Sequence, residues 1–236
     1  MKKHLKRYSA PKHWKLGTKT AAFAVRPSPG PHAIGESIPL LNIVRDFLGY
    51  ATNAREAKKI VEAGEILVDH QPRKSLKYGA GLMDVVTIPK TDENFRIVPG
   101  EKGPMMQPIP TSKADAKLVR VMGKSTLKGG KLQLNLHDGS NLEIPGSDSG
   151  KYSVGDTLEM TIRARKVKDV LKIKPGNMAY IHKGKNMGQI GTIKERIEGK
   201  AMQSDSVILS VDGNEVRTLE DYIFVIGKKK PKIKVD

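Results

Sequence analysis

The chain has 236 residues, enough for one large domain or two to three small ones, and its 42 lysines and arginines against 25 aspartates and glutamates leave a formal charge of +17. The absence of cysteine excludes disulfides, cysteine nucleophiles and cysteine-ligated metal clusters. No apolar run approaches the roughly 20 residues that span a bilayer, and the basic start lacks the apolar stretch of a secretory signal. We therefore expect a cytoplasmic protein with no membrane partner. Its excess positive charge predicts that it binds nucleic acid.

Residues 1–37 are predicted to be a basic N-terminal arm that ends in a loop rich in proline and glycine. Residues 1–26 contain no acid, and aromatic and aliphatic residues are interleaved with their cations. This mixture suits base stacking with phosphate neutralisation, but it would also suit a solvated tail or an arm packed on its own domain. The candidate nucleic-acid contacts of the arm are Lys2, Lys3, Lys6, Arg7, Lys12, His13, Trp14, Lys15 and Arg26.

Residues 38–100 are predicted to form a small α+β module. Apolar residues recur at helical spacing over 39–50, and a second helix is expected over 53–63 with Asn53 as its N-cap. Short strands with a turn between them follow the helices. A unit of this size is near the minimum that folds alone.

The second predicted helix is amphipathic, with apolar side chains on one face and cations on the other. A solvated surface would explain these cations as well as a binding surface would. Two more cations follow the turn after the next strand. The candidate nucleic-acid contacts of the module are therefore Arg55, Lys58, Lys59, Arg73 and Lys74.

Residues 101–173 are predicted to form a central β-barrel-like domain. The stretch 99–113 is rich in proline and glycine and is expected to be a loop that marks the domain boundary. Strictly alternating apolar residues then predict short strands without intervening helices, as in a small barrel or sandwich. Asp138 and Gly139 predict a type I′ hairpin turn between two of these strands.

Residues 174–227 are predicted to form an SH3-like barrel of five short strands. The loop HKGKNMGQIG follows the first strand, and its glycines would either let the backbone approach a partner closely or only shape a tight turn. Residues 228–236 are predicted to be a basic C-terminal tail. The candidate contacts in this loop and tail are Lys183, Lys185, Asn186, Lys228, Lys229 and Lys230.

No catalytic or metal site is predicted. The six histidines form no close pair at ligand spacing, so we expect neither a metal nor a cofactor. Asp84 has no partner base near it in the sequence, and strand or turn structure explains it better than catalysis does. Gly184 and Gly188 are not followed by the lysine and hydroxyl residue of a phosphate-binding loop. We therefore expect no catalytic residue and no small-molecule substrate.

Two segments resemble known RNA-binding motifs. The unit built on NAREAKKI and ILVD, at 53–60 and 66–69, resembles the S4-type RNA-binding module, and the glycine pattern over 175–193 resembles a KOW motif. Their order, with the segments KKHLKR, APKHW, RPSPGPH, GLMDVV, ENFR and FVIGK, closely resembles the S4e family of small-subunit ribosomal proteins over essentially the whole chain. The chain ends soon after FVIGK, which is more similar to archaeal than to eukaryotic members.

The resemblance implies a non-catalytic structural constituent of the small ribosomal subunit, located in the cytoplasmic ribosome. Its partners would be small-subunit ribosomal RNA and neighbouring ribosomal proteins, and its arm would order on RNA. The implied RNA-facing surface is the exposed side of the second helix and the turn after it, although Asp69-His70-Gln71 departs from the usual Asn-Gly or Asp-Gly turn. The rival hypotheses are an RNA-modifying enzyme and a KOW-containing regulator.

Overall fold

The computed structural model describes residues 4–17, 19–199, 204–228 and 230–233, and its described part is mostly β-sheet with few helices. The chain divides into two compact units. The first comprises Met1–Val98 and Lys102–Asp115, and the second comprises Pro99–Glu101 and Ala116–Asp236.

The N-terminal arm is folded onto the core of the first unit. Strand β1 (Leu5–Lys6) pairs antiparallel with β2 (Phe23–Ala24). Between them Trp14 is fully buried, and its indole Nε1 donates a hydrogen bond of 2.8 Å to the Ser37 carbonyl. The sequence left open whether this arm packs on its own domain, and in the structure it does so.

Two short helices follow the arm, as predicted. Helix α1 (Leu40–Asn42) continues as a π-helical segment over Ile43–Phe47, and α2 spans Ala54–Glu62. The Asn53 side chain caps α2 by accepting 3.0 Å bonds from the backbone amides of Arg55 and Glu56. Helix α2 packs its buried Ala57 and Val61 into the core that contains Trp14.

Seven further strands complete the first unit. Two of them, β3 and β6, form a small antiparallel sheet, and the other five are arranged in the order β5-β4-β7-β8-β9. They are β3 (Ser37–Pro39), β4 (Leu67–Val68), β5 (Gln71–Pro72), β6 (Gly79–Gly81), β7 (Val85–Ile88), β8 (Glu93–Gly100) and β9 (Gly103–Ile109).

Strand β9 lies where the sequence predicted a loop over 99–113. That expectation is wrong because β9 is an edge strand, and an edge strand tolerates Pro104 and Pro108, which have no amide to donate to a neighbour. The first unit therefore continues to Asp115.

The second unit contains two five-stranded antiparallel sheets, ordered β12-β11-β10-β13-β14 and β18-β17-β16-β15-β19. The alternating apolar residues predicted for these strands fill their cores, as with Leu134 and Leu158 in the first sheet and Leu209 and Phe224 in the second. The strands are β10 (Ala116–Thr126), β11 (Lys131–Leu136), β12 (Asn141–Pro145), β13 (Thr157–Thr161), β14 (Val167–Leu171), β15 (Met178–Ile181), β16 (Ile190–Ile197), β17 (Ser206–Val211), β18 (Asn214–Leu219) and β19 (Ile223–Gly227).

Two hairpin turns of this unit differ in type. Asp212 and Gly213 both have positive φ, 48° and 85°, which is the type I′ geometry of a two-residue hairpin. Between β11 and β12 only Gly139 has positive φ, 72°, and its amide donates to the Leu136 carbonyl. The type I′ prediction at Asp138 and Gly139 is therefore wrong, because the connection is longer and ends in a left-handed glycine.

Candidate nucleic-acid interface

The outward face of α2 carries an exposed cationic surface. Arg55, Lys58 and Lys59 are all exposed, opposite the two apolar residues that α2 buries. Lys58 lies 3.6 Å from the Glu62 carboxylate one turn later, and both side chains are more than half exposed. Such a surface pair contributes little and is easily exchanged for a phosphate contact. Within the described residues, Arg55 and Lys59 form no ion pair.

The turn after β4 keeps the left-handed geometry of an Asn-Gly turn without a glycine. Asp69 and His70 have φ of 51° and 59°, and Val68 pairs directly with Gln71 across the hairpin. Asp69 is held there because its carboxylate accepts a 3.0 Å bond from the Val85 amide. Asp69-His70 therefore differs from the usual Asn-Gly or Asp-Gly turn in its residues but not in its backbone geometry.

Asp69 also faces a buried arginine. Arg96 is 1% exposed, and burial lowers its pKa to about 10, an effect that the nearby Asp69 charge partly offsets. A guanidinium with this pKa is still charged at pH 7. The aspartate at the turn therefore has an electrostatic role that a glycine or asparagine could not fill.

Arg73 and Lys74 lie beyond this turn, and Lys74 returns towards the end of α2. Arg73 stacks 4.6 Å from the Tyr78 ring centroid and donates a 2.7 Å bond to the Gln71 side chain. Lys74 is exposed, and a Cβ built on Gly64, just past α2, would lie 3.5 Å from its Cε. The helix and turn candidates thus converge. We call Arg55, Lys58, Lys59, Arg73 and Lys74 the α2 surface.

The arm candidates have different environments. Trp14 is buried and cannot stack on a base in this conformation, so its contact with RNA stays a prediction that would require the arm to rearrange. Arg7 donates to the carbonyls of Leu16 and Gly17 at 2.5 and 2.6 Å, which holds the arm's own backbone. His13 is half-buried, and burial lowers its pKa against the opposing effect of the Ser37 carbonyl.

The remaining arm cations are mostly at the surface. Lys6 and Lys12 are exposed, and Lys15 places its ammonium 4.9 Å from the Phe47 ring centroid. Arg26 is half-buried. Lys2 and Lys3 lie outside the described residues. Their contacts with RNA stay predictions.

The arm also exposes aromatic residues that are not among the nucleic-acid contacts predicted from the sequence. Tyr8 is 95% exposed and Phe23 is 57% exposed, and the Phe23 ring packs against His4 with centroids 5.5 Å apart. Their position among cations was visible in the sequence. Only burial distinguishes these rings from Trp14.

The glycines of the loop after β15 serve the protein's own backbone. Gly184 and Gly188 have φ of 89° and 91°, and a Cβ on Gly188 would lie 2.8 Å from the Glu101 amide nitrogen. These constraints explain the glycines without a partner. Lys185 is exposed, and Lys183 and Asn186 are half-buried beside it.

The basic C-terminal tail is partly tied to the protein. Lys232 lies 2.6 Å from the carboxylates of both Glu159 and Asp169, and Lys228 lies 3.4 Å from Asp169. Lys230 is exposed, whereas Lys229 lies outside the described residues. The charge of Lys228 is therefore already shared with an acid.

A base does stand next to Asp84, contrary to the expectation from sequence. His32 Nε2 and the Gly81 amide both lie 2.9 Å from the same carboxylate oxygen. The two side chains are only 3% and 2% exposed. This pair ties the loop of prolines and glycines to the module, and its burial suits a structural role for Asp84.

The described part of the chain shows neither a metal-binding cluster nor a membrane-spanning helix. No group of three His, Cys, Asp or Glu side chains there is placed to hold a metal ion. Neither does any described helix have the length and apolar character of a membrane span.

Comparison with known proteins identifies relatives along the whole chain. Three family models match successive segments: the RS4NT (NUC023) domain at residues 1–35, the S4 domain at 38–86 and the ribosomal family S4e at 91–174. The small ribosomal subunit protein eS4 of Methanocaldococcus jannaschii is 45% identical over 240 residues, 99% of this chain and 98% of its own. That of Methanococcus maripaludis strain C5 is 44% identical over 238 residues, 98% of this chain and 97% of its own.

A solved structure extends the likeness to the fold. The crystal structure of the 30S ribosomal protein S4e from Thermoplasma acidophilum matches with a TM-score of 0.70 and 31% identity, covering 82% of this chain and 96% of that one. The resemblance drawn from the sequence motifs is thereby confirmed, and the chain belongs to the S4e family of ribosomal proteins.

Proposed function

We propose that this protein is a structural constituent of the small ribosomal subunit and binds ribosomal RNA directly. Its membership of the S4e family over almost its full length carries the proposal. The relatives named above are small-subunit proteins, and the S4 domain spans the α2 surface. The role is one of binding and support, with no chemical step.

Phosphate neutralisation supplies most of the proposed affinity. A cationic face that follows the RNA backbone releases condensed counterions, so that binding weakens steeply as salt rises. The two arginines of the α2 surface can grip a phosphate with two hydrogen bonds or stack on an unpaired base, whereas its lysines act as mobile point charges. Folded RNA hides its base edges in a deep groove, so the surface reads shape and backbone.

The finer assignments belong to the same proposal. The sheet β15–β19 is taken as an SH3-like barrel with a KOW motif. The sequence-predicted boundaries at 37, 100, 173 and 227 are kept as functional subdivisions of the chain, although the first compact unit runs on to Asp115. The exposed cations of the arm, loop and tail add RNA contacts to those of the α2 surface. Neighbouring ribosomal proteins are further partners, and the protein resides in the cytoplasmic ribosome.

Sedimentation of a cell extract through a sucrose gradient tests the proposal. We expect the full-length protein to sediment with the small subunit and to stay there through a moderate salt wash. A protein found mainly free, or with RNA polymerase, would contradict the proposal and revive a regulator. Base modification of RNA by the purified protein would instead revive an enzyme.

A further inference from the structure

A groove of about 560 Å³ with a mixed polar and apolar lining lies in the second unit beside the loop that follows β15. The loop forms one wall, and strand β18 with the short helical turn after it forms the other. The side chains that matter here are Lys185, Asn186, Ser206, Arg217 and Tyr222.

The groove carries positive charge that the protein does not itself neutralise. The acids next to it are paired with other arginines: Glu220 and Asp205 lie 2.6 and 3.1 Å from Arg196, and Asp221 lies 3.0 Å from Arg120. Arg217 donates a 3.2 Å bond to the Ser206 hydroxyl. Within the described residues, neither Arg217 nor Lys185 forms an ion pair. An occupant of this groove should therefore be anionic.

The groove also contains an aromatic ring held in position. A Cβ on Gly184 would lie 3.2 Å from the Tyr222 Cδ2, so the glycine backbone lies directly against this ring. Asn186 and the hydroxyls of Ser204, Ser206 and Thr218 supply polar groups around it. A ring face, hydrogen-bonding groups and free cations together match a base, a ribose and a phosphate.

We propose that this groove holds one unpaired nucleotide of an RNA strand, with its base against Tyr222 and its phosphate on Arg217 and Lys185. The proposal rests on the RNA-binding function proposed above and specifies a contact for it. A base inside a duplex is stacked on its neighbours and cannot reach a ring within a groove, so the strand must be single or the nucleotide extruded. A free nucleotide has the same chemistry, and the test separates the two.

The test uses the full-length protein and a fluorescein-labelled single-stranded RNA that contains one 4-thiouridine. Arg217→Gln and Tyr222→Leu should each weaken binding at least fivefold, whereas Tyr222→Phe keeps the ring and should bind as the wild type does. Arg165→Gln is the matched control, because Arg165 is exposed on the same unit away from the groove and its loss changes the charge equally. Photocrosslinks should map to the groove residues.

Salt dependence gives a second measurement. Arg217→Gln should reduce the slope of log K against log salt by about 0.7, the value for one phosphate contact on a single strand. Thermal unfolding of each variant establishes that it is folded. Folded variants that bind and crosslink as the wild type does would overturn the proposal.

Two further results separate this proposal from the broader one. If the protein binds a hairpin from small-subunit ribosomal RNA but not the single strand, the proposal for the groove is wrong and the proposed ribosomal function is unaffected. Failure to bind either RNA would overturn both. Competition by AMP as effective as by the unlabelled strand would assign the groove to free nucleotides and overturn the proposal.

Discussion

His182 is a half-buried histidine whose surroundings keep it neutral at physiological pH. Burial lowers its pKa to about 3, and the positive charges of Lys183, Arg120 and His137 add to this effect, against a hydrogen bond to the Tyr222 backbone that raises it. Its ring packs against the Phe224 ring at 6.4 Å between centroids. A histidine in this state makes the folded protein sensitive to acid.

The loss of stability should fall between pH 6.5 and about 3. Below pH 6.5 this histidine takes up a proton in the unfolded chain but stays neutral in the folded chain. The free energy of unfolding is therefore at its full value above pH 6.5 and decreases as the pH falls towards 3. At pH 5 the loss is about 2 kcal/mol. His182→Gln should remove this part of the difference between urea unfolding at pH 7 and at pH 5. The exposed His4→Gln is the control, and equal acid sensitivity in both variants would contradict the prediction.

Trp14 reports on the arm because it is the only tryptophan in the chain. Its complete burial and its bond to Ser37 predict that the free protein, without RNA, shows blue-shifted tryptophan emission that acrylamide quenches poorly. Addition of RNA should leave this emission nearly unchanged, and urea should shift it to the red. Emission that resembles the unfolded chain until RNA is added would show instead that the arm orders on RNA.

Elements with a local signal could be predicted from the sequence, and those fixed by distant contacts could not. Helix α2 was predictable because its apolar period, its cap at Asn53 and its stop at Gly64 all lie within one stretch. Strand β9 could not be predicted because its prolines indicate a loop unless the strand is known to lie at the edge of a sheet. The burial of Trp14 depends on a carbonyl 23 residues away, and the pairing of His32 with Asp84 spans 52 residues.

The residues of the α2 surface also fall into those that a local sequence pattern predicts and those that only the structure brings together. Helical spacing alone puts Arg55, Lys58 and Lys59 on one face, whereas the approach of Lys74 to the end of α2 appears only in the structure. A measurement with RNA distinguishes a binding face from a solvated one.

The triple change Arg55→Gln, Lys58→Gln and Lys59→Gln supplies that measurement. It should weaken binding to a hairpin of small-subunit ribosomal RNA at least tenfold, about 1.4 kcal/mol, and reduce the salt slope by up to about 0.9 for each lost phosphate contact. Stability should change by no more than about 0.5 kcal/mol because these side chains are exposed.

A matched triple change on the second unit controls for charge. Lys128→Gln, Arg165→Gln and Lys166→Gln remove the same charge from exposed positions. This control should lose much less affinity for the hairpin. Equal losses in the two triple variants would show that the α2 surface is only a solvated face and that net charge alone governs binding.

For the whole molecule, the charge of +17 is divided almost evenly between the two units. In the first unit it comes mainly from the acid-free arm, and in the second the tail contributes about half of it. The described part of the arm packs onto the core of its own unit, which keeps its cations on that unit. Their mutual repulsion destabilises the free, folded protein.

Salt should therefore act in opposite directions on the folding and on the RNA binding of this protein. Raising potassium chloride from about 0.01 M to 0.1 M shortens the screening length from about 30 Å to about 10 Å, which weakens repulsion between cations that are not in contact. The melting temperature of the free protein should rise, by about 2–4 °C for each 1 kcal/mol gained, while its affinity for RNA falls. The control triple change at Lys128, Arg165 and Lys166 lowers the charge to +14 and should reduce the salt-induced rise in melting temperature. A melting temperature that falls with potassium chloride would show that the protein's own ion pairs, such as those of Lys232, outweigh the repulsion.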